Sequence, residues 1–514
     1  MPAPWPETAN LKFAAAAKPW ENWHKTVSQA FAGTYTPFYP PTNPDTNAQI
    51  LIDCAKDIQV AIKAAKERKV RLRAVGSTWS LSHAPVTEGV VLDTSRLKGW
   101  IKINEGNLDP GYKGSAEKRP GLFLFQCGTL VAEVNKLLES DKWQRSLWTS
   151  GAANGQTIVG ATSTGTHGSV MDFGPLHDHI VAIHLLAGPD KQFLLERASY
   201  PVLKPAFAAA IGATPLRDDD LFNAAVLSFG SMGVIHAVVI ETSPRFLLRA
   251  ETHAPVAIDQ DLRNLIATLD PEKHPKLKGK GALNFLQVVI NPHSKDAMIN
   301  AMYKLKWDPS HVFDYTLKEG KIGPGYDGLS VVGEVLKLFP GLIPSFFKLA
   351  QGTIDSATKT ATRGEMFGYK PPQLKVGSGS VAVALTDAVK TLDLLDALMK
   401  QHPAPLVFGC RFVKPSPALF AFTRFPTTMV VSLDGIFNDQ SVAFFAKAAE
   451  TLEQNNIPYT QHWGKVNSYT KARLDKAYGA NVGKWLDARK QLLPDPADRA
   501  VFTNAYMEER GLAG

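Results

Sequence analysis

Apolar and polar residues follow helix and strand periods along the first part of the chain. Residues 57–68 place Ile58, Val60 and Ile62 in a run that ends in basic side chains, which predicts a helix with cations at its carboxyl end. Residues 69–75 alternate apolar and basic side chains, which predicts a strand. The strand leads into the small residues of 76–80. The pattern therefore predicts a helix and a strand followed by a loop whose backbone N–H groups could converge on an anion.

Similar patterns predict further helices and strands along the rest of the chain. Residues 130–140 place apolar side chains on one face and predict a helix, and residues 387–401 predict a longer one with Thr386 as its N-cap. The first 45 residues are rich in proline and aromatic side chains and predict an irregular lead-in. Strands are predicted at residues 90–93, 122–127, 181–186, 193–195, 227–240 (broken by glycines), 284–290, 381–385, 406–413 and 428–433.

One segment of the second half is unusually apolar. Residues 333–350 contain two prolines among many apolar side chains. They are interpreted first as a helical hairpin packed on the neighbouring elements. The alternative is a lid over an apolar substrate or a lipid-facing patch.

Composition limits the classes of protein that this chain can be. Of its 514 residues, 45% are hydrophobic and 20% charged, which is typical of a globular protein and excludes a disordered chain or a coiled coil. The net charge of +8 is mild, and no dense basic run indicates nucleic-acid binding. The amino terminus lacks a secretory pattern and no apolar run is long enough to span a membrane, so a cytoplasmic protein is expected.

Cysteine and histidine spacing predicts neither a metal site nor a disulfide framework. The three cysteines, Cys54, Cys127 and Cys410, form no CxxC pair and no zinc-type spacing with histidine. The count is odd, which favours a reducing compartment.

Small residues are densest between residues 150 and 169, which contain five glycines, several hydroxyl side chains and His167. Such a segment has few side chains with which to pack a core. Its backbone N–H groups and hydroxyls are available to bind a ligand at close range.

Three segments in order resemble a known family. VGSTWS at 75–80, GQTIVGATSTGTHGS at 155–169 and SFGSMGVI at 228–235 are similar to the FAD-binding domain of the vanillyl-alcohol-oxidase or PCMH-type flavoproteins. The second segment, the HWGK sequence at 462–465 and the terminal pattern of Phe502, Asn504 and Tyr506 most resemble the aldonolactone and alditol oxidase branch.

This resemblance implies an α+β fold. A PCMH-type FAD-binding domain of two α+β subdomains is expected together with an α+β substrate-binding cap domain. The implied division is a lead-in at 1–45, the FAD-binding domain at 46–245, the cap at 246–455 and a C-terminal segment at 456–514 that returns to the flavin site.

The resemblance also implies which residues contact FAD. The segment from Val75 to Ser80 would surround the diphosphate, the 150–169 segment would follow the ribityl chain and flavin ring, and the 228–235 segment would lie near the adenine. The implied cofactor-binding residues are Val75, Gly76, Ser77, Thr78, Trp79, Ser80, Gly151, Thr157, Gly160, Ser163, Thr164, Gly165, Thr166, His167, Gly168, Gly230, Gly233, Ile235 and Lys465.

Two departures from the family pattern bear on chemistry. Many members have a histidine at the position of Trp79 that bonds covalently to the flavin; tryptophan cannot form that bond, so non-covalent FAD is expected. The branch has a Glu-x-Arg pair on a cap strand. Arg411 matches the arginine, but Gly409 stands in place of the glutamate. This weakens the case for a sugar, polyol or lactone substrate.

Lys465, Arg411 and His462 are the catalytic candidates by resemblance. Lys465 would place an ammonium near flavin N1 and favour the reduced form. Arg411 would bind a substrate oxygen or stabilise negative charge, and His462 would help to orient the same region. His167 is interpreted as a hydrogen-bonding group rather than a catalytic base.

The implied activity is oxidation of a CH–OH group of an alcohol, polyol or sugar lactone by hydride transfer to flavin N5, with oxygen as acceptor. One alternative is a dehydrogenase that acts on an apolar, sterol-like alcohol and passes electrons to a quinone or cytochrome. The other is a non-catalytic FAD-binding protein. Expected partners are thus a small-molecule substrate and an electron acceptor, with no nucleic acid and no predicted membrane contact.

Overall fold

Three sheets organise the part of the chain that the computed structural model describes, which is residues 3–39, 48–151, 153–294, 296–316, 358–368 and 375–514. The apolar segment 333–350 lies outside the described residues, so neither of its interpretations is addressed. Within the described ranges, every helix is too short or too polar to cross a membrane.

The first sheet has four strands and includes part of the segment that we expected to be irregular. Its order is Leu11–Ala15, Gly33–Pro37, Val90–Asp93 and Leu72–Val75. The expectation for residues 1–45 was wrong here. The first two strands have a weak apolar signal, but they pair along their whole length with each other, and Gly33–Pro37 also pairs with Val90–Asp93. Backbone pairing, which the local sequence does not encode, decides their structure.

The second sheet has six strands in the order Thr214–Arg217, Gln192–Glu196, Ile180–Leu186, Val234–Glu241, Leu122–Gln126 and Trp100–Lys102. The strand expected over 227–240 begins only at Val234. Before it, Phe229, Gly230 and Gly233 have φ angles of 55°, 74° and 117°. Left-handed backbone cannot continue a strand, so residues 227–233 form a loop.

The third sheet has eight strands in the order Thr358–Ala361, Leu247–Ala257, Asp296–Leu305, Phe285–Asn291, Leu406–Val413, Thr428–Ile436, Val376–Ala384 and Tyr459–Gln461. One face is apolar and packs on helices through residues such as Leu286, Phe408 and Leu433. The expected cap of Thr386 on the 387–401 helix is wrong: Thr386 lies within the 3₁₀ turn Leu385–Asp387, and the helix starts at Ala388.

Helices cover these sheets and connect the two ends of the chain. The last four helices pack on the first half, because Ala480–Leu492 contacts Asp219–Ala225 and Pro496–Val501 contacts Ala48–Glu67. The α-helices are Ala48–Glu67, Val131–Glu139, Ile158–Ser163, Pro205–Ala210, Asp219–Ala225, Gln260–Thr268, Arg363–Phe367, Ala388–Gln401, Asp439–Gln454, Lys471–Tyr478, Ala480–Leu492, Pro496–Val501 and Ala505–Glu508. Two further strand pairs are Trp20–Glu21 with Ser28–Gln29, and Arg145–Ser146 with Ser243–Pro244.

The C-terminal segment therefore belongs to two parts of the fold. Tyr459–Gln461 is the edge strand of the eight-stranded sheet, whereas the helices that follow it pack on the first half. The four-part division of the chain stays a prediction.

A chain of buried polar side chains runs through the six-stranded sheet. Gln126 accepts from the Gly99 N–H through Oε1, so its amide nitrogen donates to His236 Nε2 at 2.9 Å. His236 Nδ1 must then donate to His184 Nδ1 at 3.1 Å, and His184 Nε2 donates to Gln192 Oε1 at 3.0 Å. Each ring has one donor and one acceptor in this chain, so both histidines are neutral.

Four buried histidines make stability depend on pH. Burial lowers the pKa of His177 and His179 to about 3 and that of His184 to about 4, and it lowers the pKa of His236 well below its ordinary value. Unfolding returns all four to an ordinary pKa of 6.5, so below that pH the unfolded chain binds more protons than the folded chain. Stability is then lost as the pH falls.

We expect the melting temperature to fall as the pH is lowered from about 7 to about 5. Burial raises the pKa of Asp178 and Glu139 to about 7, which opposes this trend because the folded chain holds those protons. The histidines outnumber these two groups, so their effect is larger. Thermal unfolding followed by circular dichroism across this range tests the prediction, and a melting temperature that stays constant or rises would contradict it.

Candidate functional site

A cavity is lined by residues from all three sheets and from the loops that follow their strands. Most of the residues singled out from the sequence border it, and they come from five separate stretches of chain. These residues are Val75, Gly76, Ser77, Thr78, Trp79, Ser80, Thr157, Gly160, Ser163, Thr164, Thr166, His167, Gly230, Gly233, Ile235, Arg411, His462 and Lys465.

Three expected residues do not border the cavity. Gly151 and Gly165 have φ angles of 80° and 84°, a backbone conformation that favours glycine. A Cβ on Gly168 would lie 2.2 Å from Thr149 Oγ1. These glycines lie outside the cavity lining, and their expected contact with FAD stays a prediction.

The loop after strand Leu72–Val75 lies against the segment that begins at residue 153. A Cβ on Gly76 would lie only 2.1 Å from Thr157 Oγ1, so a larger residue would force the two loops apart. Thr78 has a φ of 56°, which is strained for a β-branched residue. The Trp23 N–H donates to the Thr78 carbonyl at 2.8 Å and helps to hold this conformation.

Trp79 lies in an aromatic cluster beside the cavity. Its ring centroid is 6.1 Å from that of Trp23 and 6.5 Å from that of His24. A Cβ on Gly155 would lie 2.5 Å from the Trp79 ring, so this glycine is needed where the ring packs. The ring thus occupies space between the two loops.

His167 and His462 are both neutral at the cavity wall. His167 Nδ1 donates to the Gly168 carbonyl at 2.9 Å, which leaves its buried Nε2 as an acceptor with no hydrogen-bond partner. His462 Nδ1 accepts from the Gly464 N–H at 2.9 Å, which leaves the proton on its Nε2. Burial, with smaller effects from the nearby cations Arg411 and Lys465, holds the pKa of His167 well below its ordinary range. Burial also lowers the pKa of His462, with a smaller effect from His167.

Lys465 is held at the cavity by the eight-stranded sheet. Its Nζ donates to Ser432 Oγ at 2.8 Å and lies 3.5 Å from Asp434 Oδ1, while its side chain is 16% exposed. Asp434 is fully buried and also accepts from the Ser378 hydroxyl. The lysine ammonium is therefore fixed in place by a buried carboxylate and a hydroxyl.

Gly409 has no side chain, and the residues nearest to the space that one would occupy are on the neighbouring strand. Gly409 pairs with Ser432, and a Cβ on Gly409 would lie 3.6 Å from Asp434 Oδ2. That oxygen has no hydrogen-bond partner. The buried carboxylate nearest to this position thus comes from the adjacent strand, which the local GCRF sequence could not show.

Comparisons with known proteins indicate which cofactor the first half of the chain binds. Residues 47–191 match the family model described as an FAD binding domain. The chain contains a PCMH-type FAD-binding domain. The expected α+β fold of this type and the expected FAD cofactor are confirmed.

Two relatives of this flavoprotein match most of its length. It is 22% identical over 449 residues to the L-gulono-1,4-lactone dehydrogenase of Mycobacterium tuberculosis, with 87% of this chain and 91% of that protein covered. It is 22% identical over 495 residues to the L-gulonolactone oxidase of Mus musculus, with 95% and 97% covered. The cholesterol oxidase of Brevibacterium sterolicum shares the fold, with a TM-score of 0.66, 14% identity and 99% of both chains covered.

The cavity of the flavoprotein fits FAD on three observations. Gly76 adds no side chain to the loop that is expected to surround the diphosphate, and this lets the loop pack against Thr157. The Nε2 of His167 is a buried acceptor without a partner in the protein. No carboxylate from the described residues lines the cavity, whereas Arg411 and Lys465 do. A dianionic cofactor is therefore compatible with its charge.

Sequence reasoning missed several residues that line the cavity. Gln156 and Gly464 lie inside or beside motifs already singled out, so their positions could have been inferred. His24, Thr94 and Ser378 reach the cavity from distant parts of the chain, and no local pattern points to them. Among the described residues, no group of three or more histidine, cysteine and carboxylate side chains is placed to hold a metal ion.

Gly76→Ala should weaken FAD binding at least about tenfold, because the added methyl group must separate the two loops. The matched control is Gly106→Ala, since a Cβ on Gly106 meets nothing within 4 Å. Titration of the flavin-free variants with FAD, followed by flavin fluorescence, gives both dissociation constants. Equal affinities for the two variants would show that the close approach at Gly76 does not shape the cofactor site.

Proposed function

We propose that this flavoprotein oxidises the CH–OH group of a small hydroxyl-bearing substrate, a sugar lactone in the first instance, to a carbonyl. The observation behind the proposal is that Lys465 and Arg411 both reach a cavity to which no described carboxylate contributes. The two full-length relatives are named as lactone enzymes, which supports the substrate class.

FAD, when bound, supplies the acceptor for a hydride from a C–H bond beside a hydroxyl. The protein supplies positions and charges. Lys465, fixed by Ser432 and Asp434, places a cation where negative charge develops, and this needs no rearrangement during the reaction. Arg411 binds a substrate oxygen, His167 Nε2 accepts a hydrogen bond and His462 Nε2 donates one.

The eight-stranded sheet favours a polar substrate over a sterol. The face opposite its apolar core has a row of polar side chains, in which Thr252 donates to Asn300 at 2.8 Å and Asn300 donates to Gln287 at 3.0 Å. Gln287 pairs with Arg411 on the next strand. Arg411 is the member of this row that borders the cavity, and an apolar ring system against it would remove water from a charge without offering a hydrogen bond, which is costly.

FAD is expected to be non-covalent, and acid precipitation of the purified protein checks this. Trp79 stands where many family members have the histidine that links to flavin. We expect a yellow supernatant and a colourless pellet. A yellow pellet would contradict the prediction and would direct attention to His24, whose ring lies beside Trp79 at the cavity.

Substrate reduction of the flavin under anaerobic conditions tests the proposed activity. L-gulono-1,4-lactone should bleach the visible flavin absorbance, whereas cholesterol in the same assay should not. Lys465→Met should slow this bleaching about 100-fold, because a preorganised charge is lost. Lys484→Met, which removes an exposed cation paired with Asp220, is the control and should have no effect.

The same assay separates the alternatives. Rapid bleaching by cholesterol alone would replace the lactone proposal with the sterol one, and flavin that no alcohol or lactone reduces would indicate a non-catalytic protein. Oxygen uptake with the reducing substrate would identify an oxidase, and bleaching without uptake would identify a dehydrogenase.

A further inference from the structure

Arg73 is a buried arginine directly behind the cavity wall. It lies on strand Leu72–Val75, which ends at the loop of residues 76–80, and its side chain is 1% exposed. Its Nη1 donates to the Phe229 carbonyl at 3.0 Å, and its Nη2 lies 3.1 Å from Met507 Sδ. Its Nε has no hydrogen-bond partner.

The Arg73 guanidinium has no carboxylate partner in the described part of the chain. Phe229 provides only a neutral carbonyl, and the Met507 thioether is a weak acceptor. The carboxylate of Glu88 acts on the Arg73 charge, but it forms its ion pair with Arg71 at 3.3 Å. Burial, with a contribution from Arg489, lowers the pKa of Arg73 to about 9, which still leaves it charged at neutral pH. A buried charge without a partner is costly to keep in a folded protein.

The hydrogen bond from Arg73 holds a strained turn that forms part of the cavity wall. Phe229 and Gly230 have φ angles of 55° and 74°, and both line the cavity. A Cβ on Gly230 would lie 3.5 Å from Arg73 Nη1. Gly230 therefore borders both the Arg73 guanidinium and the cavity.

A second buried arginine, Arg489, also donates a hydrogen bond to this turn. Arg489 Nε donates to the Ser231 carbonyl at 3.0 Å, and its other nitrogens donate to carbonyls and to Thr503. Unlike Arg73, it donates from every guanidinium nitrogen. Two buried arginines thus donate hydrogen bonds to this turn. Of the two, Arg73 is the one with a guanidinium nitrogen, Nε, that has no hydrogen-bond partner.

We propose that Arg73 is a cofactor-positioning residue whose buried charge is balanced by the diphosphate of FAD, which the loop directly after its strand, residues 76–80, is expected to surround. The proposal rests on FAD binding and not on the oxidation proposed above. It implies that the flavin-free protein bears an uncompensated charge and that FAD binding relieves it. Part of the cofactor affinity is then electrostatic and specific to the diphosphate.

The test compares Arg73→Met, which keeps the bulk but removes the charge, with Arg73→Lys, which keeps the charge. Dissociation constants are measured on flavin-free protein for FAD, for riboflavin, which lacks the phosphates and the adenosine, and for ADP and adenosine, which differ only in the diphosphate. We expect Arg73→Met to weaken FAD and ADP at least about tenfold, while riboflavin and adenosine binding changes less than about threefold. Arg73→Lys should retain most of the FAD affinity.

Thermal unfolding supplies a second measure of the same coupling between the Arg73 charge and FAD. FAD should raise the melting temperature of Arg73→Met by less than it raises that of the unaltered protein, because the variant has no charge to relieve. The matched control is Arg363→Met, a buried arginine that donates to the Leu147 carbonyl and does not line the cavity. It should change the stability while leaving the FAD-to-riboflavin affinity ratio unaltered.

Two results would overturn the proposal. If Arg73→Met weakens FAD and riboflavin equally, Arg73 only shapes the wall; if it weakens neither, its charge is not coupled to the cofactor. Should Arg73→Met fail to fold, the Arg73→Lys variant decides. Unaltered FAD affinity and an unaltered FAD-induced rise in its melting temperature would support the proposal. An equal loss of affinity for FAD and riboflavin would reject it. Failure of the unaltered protein to bind FAD would instead reject the cofactor itself.

Discussion

The cavity depends on loops that approach one another more closely than side chains would allow. At Gly76 the neighbouring Thr157 hydroxyl occupies the space that a Cβ would need, and at Gly155 the Trp79 ring does so. At Gly233 the obstacle is the Leu186 carbonyl, only 2.3 Å from the position of a Cβ. At each of these points an atom of another segment fills the space that a Cβ would take, so the segments around the cavity pack in direct contact. The six-stranded sheet and the C-terminal helices hold these loops in place.

Charge is distributed unevenly around the cavity. Lys465 and Arg411 line the cavity from the side of the eight-stranded sheet, while burial keeps His167 and His462 neutral. Asp434 contacts Lys465 from behind, outside the cavity lining. The result is a site that favours negative charge on its ligand, which suits both a diphosphate and a reaction in which electrons are delivered to a cofactor.

The two faces of the eight-stranded sheet have different roles: one packs into an apolar core, and the other carries residues of the site. Leu286, Phe408 and Leu433 point into an apolar core, and their strand neighbours Gln287, Gly409 and Ser432 point the other way. Gly409 removes one side chain from the polar face, and Asp434 on the adjacent strand supplies a carboxylate close to that position. The pairing of strands therefore determines which charges Lys465 meets.

The sequence alone determined the glycine-rich loops, the order of the motifs and several elements, including strands Val90–Asp93 and Leu406–Val413. These features depend on local periodicity and on residue types that are required by close backbone approach. Tertiary structure decided the rest. The strands Leu11–Ala15 and Gly33–Pro37 exist because they pair with each other, and the second of them also pairs with Val90–Asp93. His24, Ser378 and Asp434 reach the site through contacts between residues far apart in the chain. Arg73 looks like an ordinary strand residue in sequence. Only packing against the Phe229 turn and the C-terminal helices buries its charge, because burial is a property of the assembled fold and not of a segment.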